Sequence, residues 1–260
     1  MIITFLTDFG MRDGYVAQMK GVAAGITDAT LVDISHAVPA HNVRKAAYIL
    51  QSVVPYYPVG SVHVVVVDPG VGTERKGLIV TTQSHVFVGP DNGVLMPAAH
   101  FLGDFVVYEL YDSSYLLNTV SNTFHGRDIF APVAAHITKG VPFDKLGKIT
   151  DTYVDLSFGT AEFRDHRIRG SVMYIDHFGN VVTNIPGLQM LDVVGFGSKV
   201  SLSFPHTTVD VTFHKTYGAV QKNEPLLTIG SNNYVELGVN QGNAAQQLSL
   251  REDLAFELRY

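Results

Sequence analysis

The run Val62-His63-Val64-Val65-Val66-Val67, five valines and one histidine in six residues, constrains this chain more than any other stretch. Branching at Cβ favours extended backbone. A segment that is apolar at every position, rather than at every second one, must be covered on both faces. It is far shorter than the roughly 20 apolar residues a membrane-spanning helix needs. It therefore reads as the strongest strand in the chain and as core, within an α/β domain with a largely parallel sheet.

The flanking pattern agrees. Ile2 to Leu6 is a second short apolar strand, and Leu78 to Thr82 and Val86 to Val88 are further ones. Tyr15, Met19, Val22, Ala23 and Ile26 recur at helical spacing, as do Val43, Ala46, Ala47, Leu50, Val53 and Val54, a helix that Pro55 and Pro58 would end. Ile129, Val133 and Ile137 suit a helix from about Asp128 to Gly140, with Pro132 in or just after its first turn. After about Gly147 the character changes. The runs Ser171 to Ile175, Val181 to Ile185, Val200 to Phe204, Val209 to Phe213, Leu226 to Ile229, Tyr234 to Leu237 and Phe256 to Tyr260 are short, β-rich and separated by turn residues. The expectation is an α/β domain with a largely parallel sheet over residues 1–160 and a small antiparallel β-barrel over 170–260, divided in the polar stretch Thr150 to Arg169.

Composition removes several function classes. Of 260 residues, 46% are hydrophobic and 16% charged, which supplies a core and excludes disorder. The net charge of −6 gives no general attraction to nucleic acid. With no cysteine there is no disulfide, thiolate metal site or Cys nucleophile. The first residues lack a basic segment, and Asp8 interrupts them too early for a signal peptide, so a soluble, cytoplasmic protein is expected.

Three expected strands end in an Asp followed by turn residues: Thr7-Asp8-Phe9-Gly10, Val67-Asp68-Pro69-Gly70 and Pro90-Asp91-Asn92-Gly93. Asp before Gly or Pro commonly does no more than make a turn, and Asp91-Asn92-Gly93 is the strongest case for that. Ligands of open α/β sheets, however, bind beyond the carboxyl ends of strands, so three such acids also suggest a shared polar crevice. In Asp68-Pro69-Gly70-Val71-Gly72-Thr73-Glu74-Arg75 the glycines permit a sharp loop across which Arg75 can reach back to Asp68; the spacing is neither a P-loop nor a Rossmann fingerprint. In Thr123-Phe124-His125-Gly126-Arg127-Asp128, His125 would stand free in a loop before a helix that Asp128 could cap.

These four segments, with Asp176-His177-Phe178-Gly179-Asn180 and Asn240-Gln241-Gly242-Asn243-Ala244, resemble the S-adenosyl-L-methionine hydroxide adenosyltransferases, relatives of the fluorinase and chlorinase, along nearly the whole chain. The resemblance implies an α/β domain followed by a β-barrel. It also implies a homotrimer whose substrate lies between one subunit's first domain and a neighbour's second, and hydrolysis of S-adenosyl-L-methionine to adenosine and L-methionine without metal or cofactor. It assigns Asp68, Arg75 and His125 to the attacking water and Asp8 to the ribose hydroxyls. Asp13, Asp176 and Ser231 fall to the methionine part, and Asn180, Tyr217 and the backbone near Ala244 to the adenine. The halogenases carry Tyr at the places of Asp68 and His125, Ser at Gly126 and a stacking Trp at Val182. An ionised Asp68 would repel a halide but can accept a proton from water, which favours the hydrolytic branch.

Other classes remain in view. A metal-dependent hydrolase could draw on Asp8, Asp68, Asp91 and His125, but no tight ligand pair such as His-Glu-x-x-His occurs. The other histidines (among them His36, His63 and His85) are scattered, and most are expected in loops or on the surface. A trimeric adenosine sensor without turnover would not need the Asp68, Arg75 and His125 set. A halogenase is opposed by the same residues.

Overall fold

A computed structural model describes residues 1–111 and 114–260, in two compact units, Met1–Ser157 and Phe158–Tyr260. In the first unit the chain runs β1 (Ile2–Thr7), α1 (Tyr15–Ile26), β2 (Thr30–Ser35), α2 (Val43–Val53), β3 (Ser61–Val66), β4 (Gly77–Thr82), β5 (His85–Pro90), α3 (Met96–Leu102), β6 (Phe105–Leu110), a π turn (Gly126–Phe130), α4 (Ala131–Thr138) and β7 (Gly147–Ile149). Among the described residues, seven strands pair in the order β2-β1-β3-β5-β4-β6-β7. The four strands β2, β1, β3 and β5 are parallel neighbours. The remaining ladders, β5 to β4, β4 to β6 and β6 to β7, are antiparallel. The sheet is therefore mixed: five strands point one way, and β4 and β7 run against them.

The valine run is the buried centre of this sheet. All six residues of β3 are buried, and so is Val67 after it. Val62, Val64 and Val66 face one side with Ile3 and Phe5 of β1, where they pack with Met19 and Ala23 of α1 and Val133, Ala134 and Ile137 of α4. Val65 and Val67, on the alternate positions, are equally buried. Helix α2 starts where the Asn42 side chain accepts from the Lys45 backbone N–H at 2.8 Å, and it ends in a 3₁₀ turn at Val54–Tyr56 that contains Pro55. Thr30–Ser35, Met96–Leu102 and Phe105–Leu110 add a strand, a helix and a strand where no element was expected.

The second unit contains β8 (Glu162–Arg164), β9 (Arg167–Ile175), β10 (Val181–Pro186), α5 (Gly187–Val193), β11 (Lys199–Ser203), β12 (Thr208–Thr212), β13 (Pro225–Ile229), β14 (Tyr234–Val239), α6 (Ala244–Gln247) and β15 (Ala255–Arg259). The strands form an antiparallel sheet, β12-β11-β15-β9-β10-β14-β13, with β8 on β9. A bridge between Phe213 and Leu227 links its two ends, so the sheet is a nearly closed, barrel-like one. One register row, Ile175, Val181, Leu237 and Leu227, belongs to its core. The next row, Tyr174, Val182, Glu236 and Thr228, lies on the other face. Among the described residues no helix is long and apolar enough to cross a membrane.

Candidate active site

Because β1, β3 and β5 are parallel neighbours, Asp8, Asp68 and Asp91 follow their carboxyl ends along one edge of the sheet. Asp91-Asn92-Gly93 is occupied with structure. The Asp91 carboxylate accepts from the Val154 N–H at 2.7 Å, and the Asn92 amide donates to the Val67 carbonyl at 2.8 Å. That second bond ties down the backbone immediately before Asp68. Asp8 is half-buried, and its Oδ2 accepts from the His41 N–H at 2.8 Å. Its turn is pinned by His36, whose Nδ1 bonds the Thr7 hydroxyl at 2.8 Å and whose carbonyl accepts from Gly10 N–H at 2.8 Å. His36 Nε2 in turn lies 3.1 Å from Asp33 Oδ1, an ion-pair distance without hydrogen-bond alignment. Asp13 is exposed on the loop that follows.

The loop after Asp68 folds back on itself. Arg75 Nε donates to both Asp68 carboxylate oxygens at 3.0 Å, and Nη2 donates to Oδ2 at 2.5 Å. The two side chains are only 5% and 11% exposed, so the ion pair is largely removed from water. The loop can close because Gly72 has φ +77° and stands where a Cβ would be 2.3 Å from the Asn122 carbonyl oxygen. Arg75 Nη2 also donates to His125 Nδ1 at 2.7 Å. A guanidinium cannot accept, so Nδ1 carries the lone pair and the ring proton of the neutral imidazole sits on Nε2. Burial, and then the Arg75 charge, hold the His125 pKa below its ordinary 6.5, against a smaller opposing pull from Asp68 and Asp128. The cluster is an Asp68–Arg75 ion pair joined through Arg75 to an imidazole held in its neutral form, all in one hydrogen-bonded chain.

His125 is delivered by the π turn. Gly126 packs so closely that a Cβ there would meet Met19 Sδ at 3.2 Å and Val66 Cγ1 at 3.4 Å, which brings the turn onto the end of β3. Asp128 does not cap the helix that follows. It is fully buried inside the turn, accepts from Arg127 Nε at 2.6 Å, and reaches back to the Ser121 N–H at 2.8 Å. It fixes the loop before His125, because the π turn starts at Gly126, ahead of Asp128, and the α-helix itself starts only at Ala131.

In the second unit, Asp176, Asn180 and Tyr217 are neighbours. Asp176 Oδ1 accepts from the N–H groups of Phe178 and Asn180 at 2.8 Å each, and Oδ2 accepts from Asn180 Nδ2 at 2.9 Å. Gly238 shows how tightly the others sit: a Cβ there would lie 2.5 Å from Tyr217 Cε1 and 3.2 Å from Asn180 Oδ1. Ala244 is buried at the start of α6 beside Asn243, against which Gly179 packs. Ser231 is exposed in the turn after β13. One participant was missed altogether. Glu236 is buried at 9% exposure and bonds the Tyr217 hydroxyl. Burial, and then the nearby Asp176, push its carboxyl up to about 7. The signal was present, since an acid stands inside the apolar run Tyr234 to Leu237. Most of the other histidines lie in loops or at the surface, as expected; His63 and His85 are the exceptions, buried on β3 and β5, with Thr4, His63 and His85 joined at 2.7 and 3.2 Å.

Among the described residues no group of three or more His, Asp or Glu is arranged to hold a metal ion. Asp68 and His125, two of the four considered, both turn to Arg75 instead.

Comparison with known proteins covers both units. Residues 3–147 match the S-adenosyl-L-methionine hydroxide adenosyltransferase N-terminal domain, and residues 170–256 match its C-terminal domain. An (R)-S-adenosyl-L-methionine hydrolase of Salinispora tropica is 38% identical over 252 residues, 95% of this chain and 94% of that protein. One of the same name from Thermus thermophilus is 33% identical, covering 98% of each chain. A fluorinase of Actinopolyspora mzabensis is more distant, at 25% identity over 98% of this chain and 95% of its own. Among solved structures, an uncharacterised conserved protein of Thermotoga maritima superposes with a TM-score of 0.94 at 37% identity, covering 99% of this chain and all of that one.

Proposed function

The chain belongs to the S-adenosyl-L-methionine hydroxide adenosyltransferase family, and from that premise we propose that it hydrolyses S-adenosyl-L-methionine to adenosine and L-methionine by in-line attack of water on the ribose C5′. The observation that supports this best is the bonded chain Asp68, Arg75 and His125 at the carboxyl end of β3. The sulfonium already activates C5′ and leaves as a neutral thioether, so no acid is needed for the leaving group. What the reaction lacks is a nucleophile, held roughly 3 Å from C5′ and stripped of a proton as it attacks. Asp68 accepts that proton or orients the water through the lone pairs Arg75 leaves free. Arg75 offsets the negative charge that develops on the oxygen. His125, with its proton on Nε2, donates a further hydrogen bond and completes the cage around the attacking water. The same carboxylate would repel a halide in the same place.

Asp8 then holds the ribose hydroxyls with its free Oδ1, Asp13, Asp176 and Ser231 meet the methionine part, and Asn180, Tyr217 and the backbone at Ala244 meet the adenine. The working assembly is a homotrimer, cytoplasmic and free of metal and cofactor. The test is turnover of S-adenosyl-L-methionine by chelator-treated protein in water enriched in oxygen-18. Label in the 5′-hydroxyl of adenosine is expected. Loss of activity on chelation, or no adenosine at all, would overturn the reading. Light scattering on the same sample reads the trimer.

A further inference from the structure

Glu236 is a buried acid on which no cation bears among the described residues. Its register neighbours on the two flanking strands are Val182 and Thr228, neither of them basic, and the charged group that bears on it is another acid, Asp176. Its hydrogen-bond partner is the phenol of Tyr217. A Cβ on Gly230 would lie 2.7 Å from Glu236 Oε2, so the carboxyl is wedged between that phenol and the backbone of the β13–β14 turn. Isolated carboxyl groups are expensive to bury unless they are hydrogen-bonded, and here the bond goes to a phenol. What it holds is visible two residues along the same face. Gly238 leaves the gap into which the Tyr217 ring and the Asn180 side chain both pack. Asn180 itself is oriented by Asp176, which takes its Nδ2 and leaves Oδ1 as an acceptor. The two acids thus divide the work: Asp176 orients the amide, and Glu236 orients the ring. Val182 supplies no ring on this face, and Tyr217 is an aromatic side chain that meets Asn180 over Gly238.

We propose that Glu236 is a positioning residue which, through the Tyr217 hydroxyl, holds that ring against Gly238 beside Asn180 and so sets affinity for the purine base without taking part in bond cleavage. This rests on the reading of Tyr217 and Asn180 as adenine contacts. A residue of this kind changes binding equally in the ground and transition states, so it moves KM and leaves kcat alone.

The experiment measures steady-state hydrolysis of S-adenosyl-L-methionine and calorimetric adenosine affinity at pH 7 on the full chain, for Tyr217→Ala, Tyr217→Phe, Glu236→Leu, Glu236→Gln and the Tyr217→Phe/Glu236→Leu double variant. One lost hydrogen bond predicts a rise of about five- to tenfold in KM and in the adenosine Kd for Glu236→Leu and for Tyr217→Phe, with kcat within about twofold. Glu236→Gln keeps an acceptor for the phenol and restores both constants. The double variant is no worse than either single one, because both remove the same bond. If Tyr217→Ala weakens adenosine while Glu236→Leu and Tyr217→Phe do not, the role of Glu236 is overturned and the adenine reading stands. If Tyr217→Ala changes neither constant, the adenine reading falls and the proposal with it. Should Glu236→Leu not fold, Tyr217→Phe decides alone: a raised KM at constant kcat supports the proposal, and unchanged constants overturn it.

Discussion

Asp68 and Glu236 are both carboxyl groups largely withdrawn from water, one in each unit, and they are neutralised in opposite ways. Asp68 has a guanidinium clamped across both oxygens. Glu236 has a phenol and a second acid nearby, so burial drives it towards its protonated form, at about 7. The first arrangement retains a charge and keeps lone pairs ready for a proton, as a group that works on water must. The second holds its charge only loosely, with a carboxyl raised to about 7, and keeps a geometry, which suits the positioning role proposed for it. Burial of an acid thus says little by itself; the partner decides whether it serves chemistry or placement.

This contrast can be broken at either end. The largest effect belongs to Asp68→Asn, which keeps the shape and removes the proton acceptor: kcat should fall by about 10²–10⁴-fold with adenosine affinity nearly unchanged. Near-wild-type turnover would remove Asp68 from the reaction. Next is Arg75→Leu, which leaves a buried carboxylate without its cation and should cost about 3–5 kcal/mol in denaturant unfolding. A loss below about 1 kcal/mol, the level of an exposed pair, would mean the ion pair is solvated and not the insulated clamp described above.

Glu236→Gln should act with the other sign. The folded protein binds the Glu236 proton more tightly than the unfolded chain does, its carboxyl rising from 4.5 to about 7. That stability is fully present below pH 4.5 and is lost as pH rises through about 7. The glutamine variant has no proton to lose, so at pH 8.5 it should be more stable than wild type by up to about 3 kcal/mol, with little difference at pH 4.5. Equal stability at both pH values would show that the carboxyl is not held protonated. The smallest effect is the acid limb of turnover. Burial and then Arg75 hold the His125 pKa below 6.5, so activity should be level across neutral pH and fall only below 6.5. A midpoint above 6.5 would place a different group in control.

Much of the first unit was legible in one dimension, because its signals are local. The valine run, the helical spacing of Tyr15, Met19, Val22, Ala23 and Ile26, and the acids at the ends of β1 and β3 each depend on a few nearby residues. The strands at Thr30–Ser35 and Phe105–Leu110 escaped notice because their residues are mostly half-exposed, which blurs the alternation of a covered strand. The function of Asp91 as a turn was readable for the same local reason. The burial of His36, His63 and His85 was not, since their partners Thr7, Thr4 and each other arrive from separate strands.

What pairing and packing decided is the company each polar group keeps. Nothing in the spacing of Asp68, Arg75 and His125 requires one guanidinium to bond both others; that follows from a loop closed by Gly72 and a π turn seated through Gly126. Nothing near Glu236 in the chain announces Tyr217, Asp176 or Asn180, which come from other segments of the second unit. A pattern of residues records which side chains seek cover and where backbone can turn. The charge state and aim of a buried group depend on neighbours within about 4 Å, and those are chosen by strand register and by the glycines that allow close approach.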